Sequence, residues 1–194
     1  MHGLMNRAIE CFVRDTYGRR TWRSVARAAG LEDPTFEAML SYDDAVTDAV
    51  LEASARELRK PIDVFLEDLG TYLVSHPTTE ALRRLLRFGG VTFTEFLNSL
   101  DDLPGRARLA VGDLVLPEIE LEEDPEGAFR LFCRYHRPGM GHVLMGVIRA
   151  MADDYGALVL LEMVDRTDEV EILSIVVLET AFAEGRVFQL AGTE

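Results

Sequence analysis

Residues 116–139 read "LPEIELEEDPEGAFRLFCRYHRPG", and here the spacing of apolar residues changes from helical to alternating. Ile119 and Leu121 alternate with glutamates, and the "DPEG" that follows at 124–127 is a turn signal between two strands. In the second strand Phe129, Leu131, Cys133, Tyr135 and Arg137 fall on one face, and Arg130, Phe132, Arg134 and His136 on the other. A guanidinium keeps its charge, so Arg137 on a mostly apolar face needs an anion or a path to water.

Upstream of this stretch everything keeps helical time. Leu4, Met5, Ala8, Phe12 and Val13 mark a helix over 2–16 that ends at Gly18. Thr21 is the expected N-cap and Gly30 the stop of a second helix. Acids near 43 start a third, which ends before Pro61. Helices over 63–76 and 78–90 follow, the latter closed by Gly89 and Gly90. One further helix is predicted from Phe93 through Leu114, with Leu97, Leu100, Ala107 and Val111 on its inner stripe. Pro104 lies on that stripe, where a helix interior loses about 3 kcal/mol to proline.

Downstream, residues 140–156 return to helix, and 157–164 and 170–179 read as strands joined by "DRTDE". Many helices followed by a late antiparallel sheet with one intervening helix give an α+β fold. One domain over 1–194 is expected, with a helical lobe over about 1–60 and a pocket-and-sheet lobe over about 61–194.

Composition narrows the function. Hydrophobic residues make up 48% of the 194, enough for a real core. The net charge of −14 repels phosphate backbones and anionic lipid, which argues against nucleic-acid and membrane roles. No secretory leader is evident, and two cysteines, Cys11 and Cys133, build neither a disulfide framework nor a zinc site, so a cytoplasmic location is expected. No nucleophile elbow, phosphate loop, dinucleotide fingerprint or zinc-protease motif occurs, and the four histidines at 2, 76, 136 and 142 lack ligand spacing. The chain is therefore not expected to be an enzyme.

The opening "MHGLMNRAIECFVRDTYGRRTWRSVARAAG", then "YDDAVTDAVLEAS", "DVFLEDLGTYLVSH", "FLNSLDDL" and "HRPGMGHVLMGVI" together resemble the haem nitric oxide/oxygen binding domain, H-NOX, also found in soluble guanylate cyclase. The resemblance spans essentially the whole chain. It implies an α+β fold enclosing haem b, nitric oxide sensing through rupture of a histidine–iron bond, and a signalling partner such as a histidine kinase or cyclic-nucleotide enzyme, reached here in trans.

Its motifs fall on named positions. The family's iron-ligating histidine corresponds to Pro104, which has no lone-pair donor. The propionate-holding Tyr-x-Ser-x-Arg motif falls on Cys133, Tyr135 and Arg137, of which Arg137 alone matches. Pro117 matches the proline that presses on the haem plane, while Leu4 and Val143 match pocket-wall positions. Haem is thus expected to be absent or weakly held. An empty hole of about 400 Å³, at about 24 cal/mol per Å³, costs roughly 10 kcal/mol, so the pocket closes or takes another ligand. Tyr135 favours collapse; Arg137 favours an apolar anionic ligand such as a fatty acid. A non-standard axial ligand is the other reading, with His2 the first candidate beside the reading of it as an exposed terminus. His142 points about 100° from Val143 on a helix and reads as a surface residue.

Overall fold

The computed structural model describes residues 1–167 and 169–186. Part of the expected 1–194 span therefore lies outside the described residues. Two compact units divide the chain, Met1–Leu69 and Gly70–Glu194. The division falls inside a continuous helix, nine residues later than the lobe boundary read near residue 60.

The first unit opens with α1 (Gly3–Tyr17) and α2 (Arg19–Ala28). His2 caps α1 through its side chain and makes a backbone bridge to Ser41. Gly18, not Thr21, precedes α2; the Thr21 hydroxyl donates to the Tyr17 carbonyl from inside the first turn. Trp22 is held by its indole N–H on the Pro34 carbonyl, which folds the following loop back over α2. α3 (Asp44–Leu58) is capped by the Asp43 carboxylate. α4 (Ile62–Ser75) contributes Phe65, which packs against the Phe12 ring at 5.2 Å. Along α1 a polar stripe is buried among apolar neighbours. Asn6 accepts from the Thr47 hydroxyl, and Glu10 accepts from the Phe36 N–H and from Arg14.

The second unit continues from the end of α4 into a 3-10 turn (Pro77–Thr79) and α5 (Glu80–Arg87). The stretch read as one helix from 93 to 114 is two short ones, α6 (Phe93–Asn98) and α7 (Leu103–Ala110). Then come β1 (Glu118–Glu123), β2 (Phe129–Arg134), α8 (Met140–Tyr155), β3 (Leu158–Arg166) and β4 (Val170–Glu179). The sheet order is β1-β2-β4-β3, with every neighbouring pair antiparallel. β2, α8 and β3 thus form a crossover, and β4 inserts between its two strands.

Alternation works as expected. Ile119, Phe129, Leu131, Cys133, Leu173 and Ile175 turn inward and share a core with Leu144, Met145, Ile148 and Met151 of α8. The Thr71 hydroxyl on α4 reaches the Gly146 carbonyl of α8, and the Asp154 carboxylate at the far end of α8 is gripped by Arg83 of α5 at 2.6–2.8 Å. Among the described residues no helix is long and apolar enough to cross a membrane.

Candidate functional site

Position 104 is reached from α6. Thr92 and Glu95 form a reciprocal capping box that starts this helix. It ends in a turn in which the Leu100 N–H bonds the Leu97 carbonyl and the Leu103 N–H bonds the Leu100 carbonyl. α7 then restarts, with Pro104 in its first turn. A first-turn N–H has no intrahelical partner, so proline removes nothing there and its fixed φ suits the start of a helix. The cost expected for a helix interior does not arise, because the chain has already broken at 99–102. Leu103 and Ala107 carry the buried stripe through α7, and Pro104 beside them is half-buried.

The chemistry of position 104 is decided even so. Its nitrogen is a tertiary amide and its ring carries no heteroatom, so it holds no donor for iron. Among the described residues there is no group of three or more His, Cys, Asp or Glu side chains able to hold a metal ion.

His2 is not an exposed terminus but 9% exposed, and its Nδ1 accepts the Leu4 N–H at 3.2 Å. That bond commits the Nδ1 lone pair to capping the start of α1. Leu4, in the same turn of α1, is half-buried. His142 is likewise buried, at 8%, rather than on the surface, because nearly every side of α8 is covered. Val143 beside it is buried as well.

The motif positions after 130 divide at the end of β2. Cys133 is within the strand, 1% exposed, and paired in register with Ile119 on one side and Glu171 on the other. Burial, aided by the charge of Glu171, pushes its thiol up to about 12, so it stays protonated at neutral pH. Tyr135 and Arg137 lie beyond Arg134, where the ladder has ended, and strand alternation no longer orients them. Tyr135 is half-buried with its ring against His136, and its hydroxyl donates to the Val115 carbonyl at 3.2 Å. That bond ties the motif loop to the segment entering β1, two residues before the buried Pro117. Arg137 is half-buried and engaged within the fold.

One residue went unnoticed in the sequence. Glu171, on the inner face of β4 beside Leu173 and Ile175, is 3% exposed. Its carboxylate accepts the Gly139 N–H at 2.8 Å and the Gly141 N–H at 2.6 Å, with Arg166 at 3.3 Å from the same carboxylate. The first turn of α8 is an anion-binding element by virtue of its free N–H groups and dipole. Here it is filled by the protein's own acid. Gly139, at φ 102, supplies the left-handed entry, and a side chain on Gly141 would collide with Glu171. The available signal was an acid keeping phase with the apolar face of a strand.

Comparison with known proteins bears on this arrangement. The Haem-NO-binding family model matches residues 2–163. The chain is 27% identical over 166 residues to soluble guanylate cyclase gcy-31 of Caenorhabditis elegans, covering 85% of this chain and 24% of that protein. It thus spans about a quarter of that relative's length. An Fe(II) H-NOX protein variant from S. oneidensis superposes with a TM-score of 0.78 at 17% identity, over 97% of this chain and 100% of that one. An unliganded Fe(II) H-NOX mutant from K. algicida gives 0.77 at 18% identity, over 94% and 99%. These structural likenesses show the fold.

Proposed function

From the premise that the chain belongs to the Haem-NO-binding (H-NOX) family, we propose that it is a sensory domain whose haem-based input is lost while its coupling to a signalling partner is kept. The single observation that carries this reading is Pro104 in the first turn of α7, at the position the family resemblance assigns to the iron ligand. The hydrogen bond on His2 Nδ1 supports it, since the first alternative donor is committed to capping α1. The protonated thiol of Cys133 supports it too. The residues present do not fit haem iron, and no step of the function is routed through it.

The likeness to soluble guanylate cyclase makes a cyclic-nucleotide enzyme the first class of partner, and a histidine kinase the second. The domain acts by binding rather than by catalysis. Haem content per chain, after expression with added haem precursor, tests the reading. The expected result is folded protein without a Soret band, and a clear rise in haem incorporation in Pro104→His. A stoichiometric Soret band in the unaltered chain, abolished by His2→Ala, would overturn it in favour of a sensor with an unusual ligand.

A second reading has one observation in its favour. Arg137 is retained and half-buried in the motif loop, as an apolar carboxylate carrier requires. Organic extraction and mass spectrometry of the purified protein decide this. A stoichiometric fatty acid supports the carrier, and an extract without one leaves the interaction role.

A further inference from the structure

The charge of this protein is divided in a way its net value hides. The whole chain carries −14, yet α2, "RRTWRSVARA", holds four arginines and no acid. Trp22, Val25 and Ala26 are its buried side. Arg19, Arg20, Arg23 and Arg27 are all exposed, and no ion pair or hydrogen bond engages any of their side chains among the described residues. By contrast, Arg7 and Arg14 on α1 both close on Glu10. Four unpaired guanidinium groups on one ten-residue helix are a charged surface that the fold does not neutralise.

The opposite surface is on β1. Glu118, Glu120, Glu122 and Glu123 are exposed on an edge strand, and Asp124 and Glu126 extend the charge into the turn. Glu120 pairs with Arg134 at 2.8 Å, while Glu118, Glu122 and Glu123 have no ion-pair partner among the described residues. The two arrays match in spacing. Side chains four apart on a helix repeat about every 6 Å along its axis, and side chains two apart on a strand repeat about every 6.7 Å. Arg19, Arg23 and Arg27 therefore meet Glu118, Glu120 and Glu122 with an accumulated mismatch of about 1.4 Å. Long flexible side chains absorb that difference.

We propose that the arginine face of α2 docks on the glutamate ladder of β1 of a second copy of this chain. A second copy is favoured over nucleic acid or an anionic membrane because it presents a short acidic row of matching repeat. One three-turn helix on one six-residue strand is a small contact, so the assembly is weak and reversible. Its salt dependence is diagnostic. At low ionic strength the net charges of two copies repel over long range. Near physiological salt that repulsion is screened beyond about 8 Å while contact pairs persist, and at about 1 M the pairs are screened as well. Association is strongest at the middle of this range.

Sedimentation velocity over a range of concentration and salt tests the proposal. Reversing two arginines (Arg23→Glu with Arg27→Glu) weakens self-association roughly tenfold, the loss of about 1.4 kcal/mol. Reversing two glutamates (Glu118→Lys with Glu122→Lys) does the same. Mixing these two variants restores association, because each then supplies the surface the other needs. All four substitutions are on exposed side chains and leave the core untouched. A wild-type chain that stays monomeric at every salt concentration overturns the proposal. So does a mixture of the two variants that fails to recover. Binding of anionic vesicles or a nucleic acid by a monomeric wild-type chain, lost on arginine reversal, would reassign the face to that partner.

Discussion

At the start of α7 the chain presents Pro104, a residue with nothing to donate; at the start of α8 it presents two amide N–H groups that Glu171 has already taken. Both are first turns of helices in the second unit, and both lie at or beside positions the family resemblance gives to haem. The α7 turn tolerates its residue because a first-turn N–H was never bonded. The α8 turn requires its residue because buried N–H groups without an acceptor are costly. Proline at one place is nearly free in stability, whereas the carboxylate at the other satisfies buried donors and holds the turn.

The sharpest way to break this contrast is at Glu171. Replacing it with alanine leaves the Gly139 and Gly141 N–H groups without their acceptor and removes the carboxylate 3.3 Å from Arg166, at a cost of about 3–5 kcal/mol. Chemical denaturation measures it, and a loss under about 1 kcal/mol would mean the turn is satisfied in another way.

Next is the thiol beside that carboxylate. Cys133 keeps its proton in the folded chain up to about 12, whereas the unfolded chain releases it from 9.0. Unfolding then releases a proton, so this contribution is complete below pH 9 and is lost as pH rises toward 12. The full span corresponds to about 4 kcal/mol. Thermal unfolding of the native chain against Cys133→Ala across that range should show a steeper alkaline decline in the native chain.

A smaller effect is expected at Tyr135→Phe, which loses one partly exposed hydrogen bond to Val115, or about 1 kcal/mol. The smallest is at Pro104→Ala, within about 1 kcal/mol in either direction. A gain near 3 kcal/mol there would show that the proline strains its helix after all, and the contrast between the two turns would fail.

Much of this was legible in advance, and the misses share a cause. The strands were readable because burial on one face imposes a period of two, as Phe129, Leu131 and Cys133 show. The same rule extended two steps too far gave Tyr135 and Arg137 a strand's orientation after the ladder had ended. The α6–α7 break was hidden for a related reason. Leu97, Leu100 and Leu103 are three apart, and the turn between the helices is bonded with that same step, so the apolar phase passes through it unbroken. His2 and His142 were misplaced because local periodicity says which way a side chain points along its own helix and nothing about what lies over it.

The sequence by itself determined the α+β class, the inward alternation of the sheet and the absence of an iron donor at position 104. These follow from local periodicity and from the covalent structure of proline, which no folding alters. Only the tertiary structure decided that Pro104 opens a helix, that His2 spends its accepting nitrogen on a cap, and that Glu171 fills the first turn of α8. Each of those depends on a partner supplied elsewhere: by where the previous helix stops, by the orientation of one ring, or by a strand 30 residues further along the chain.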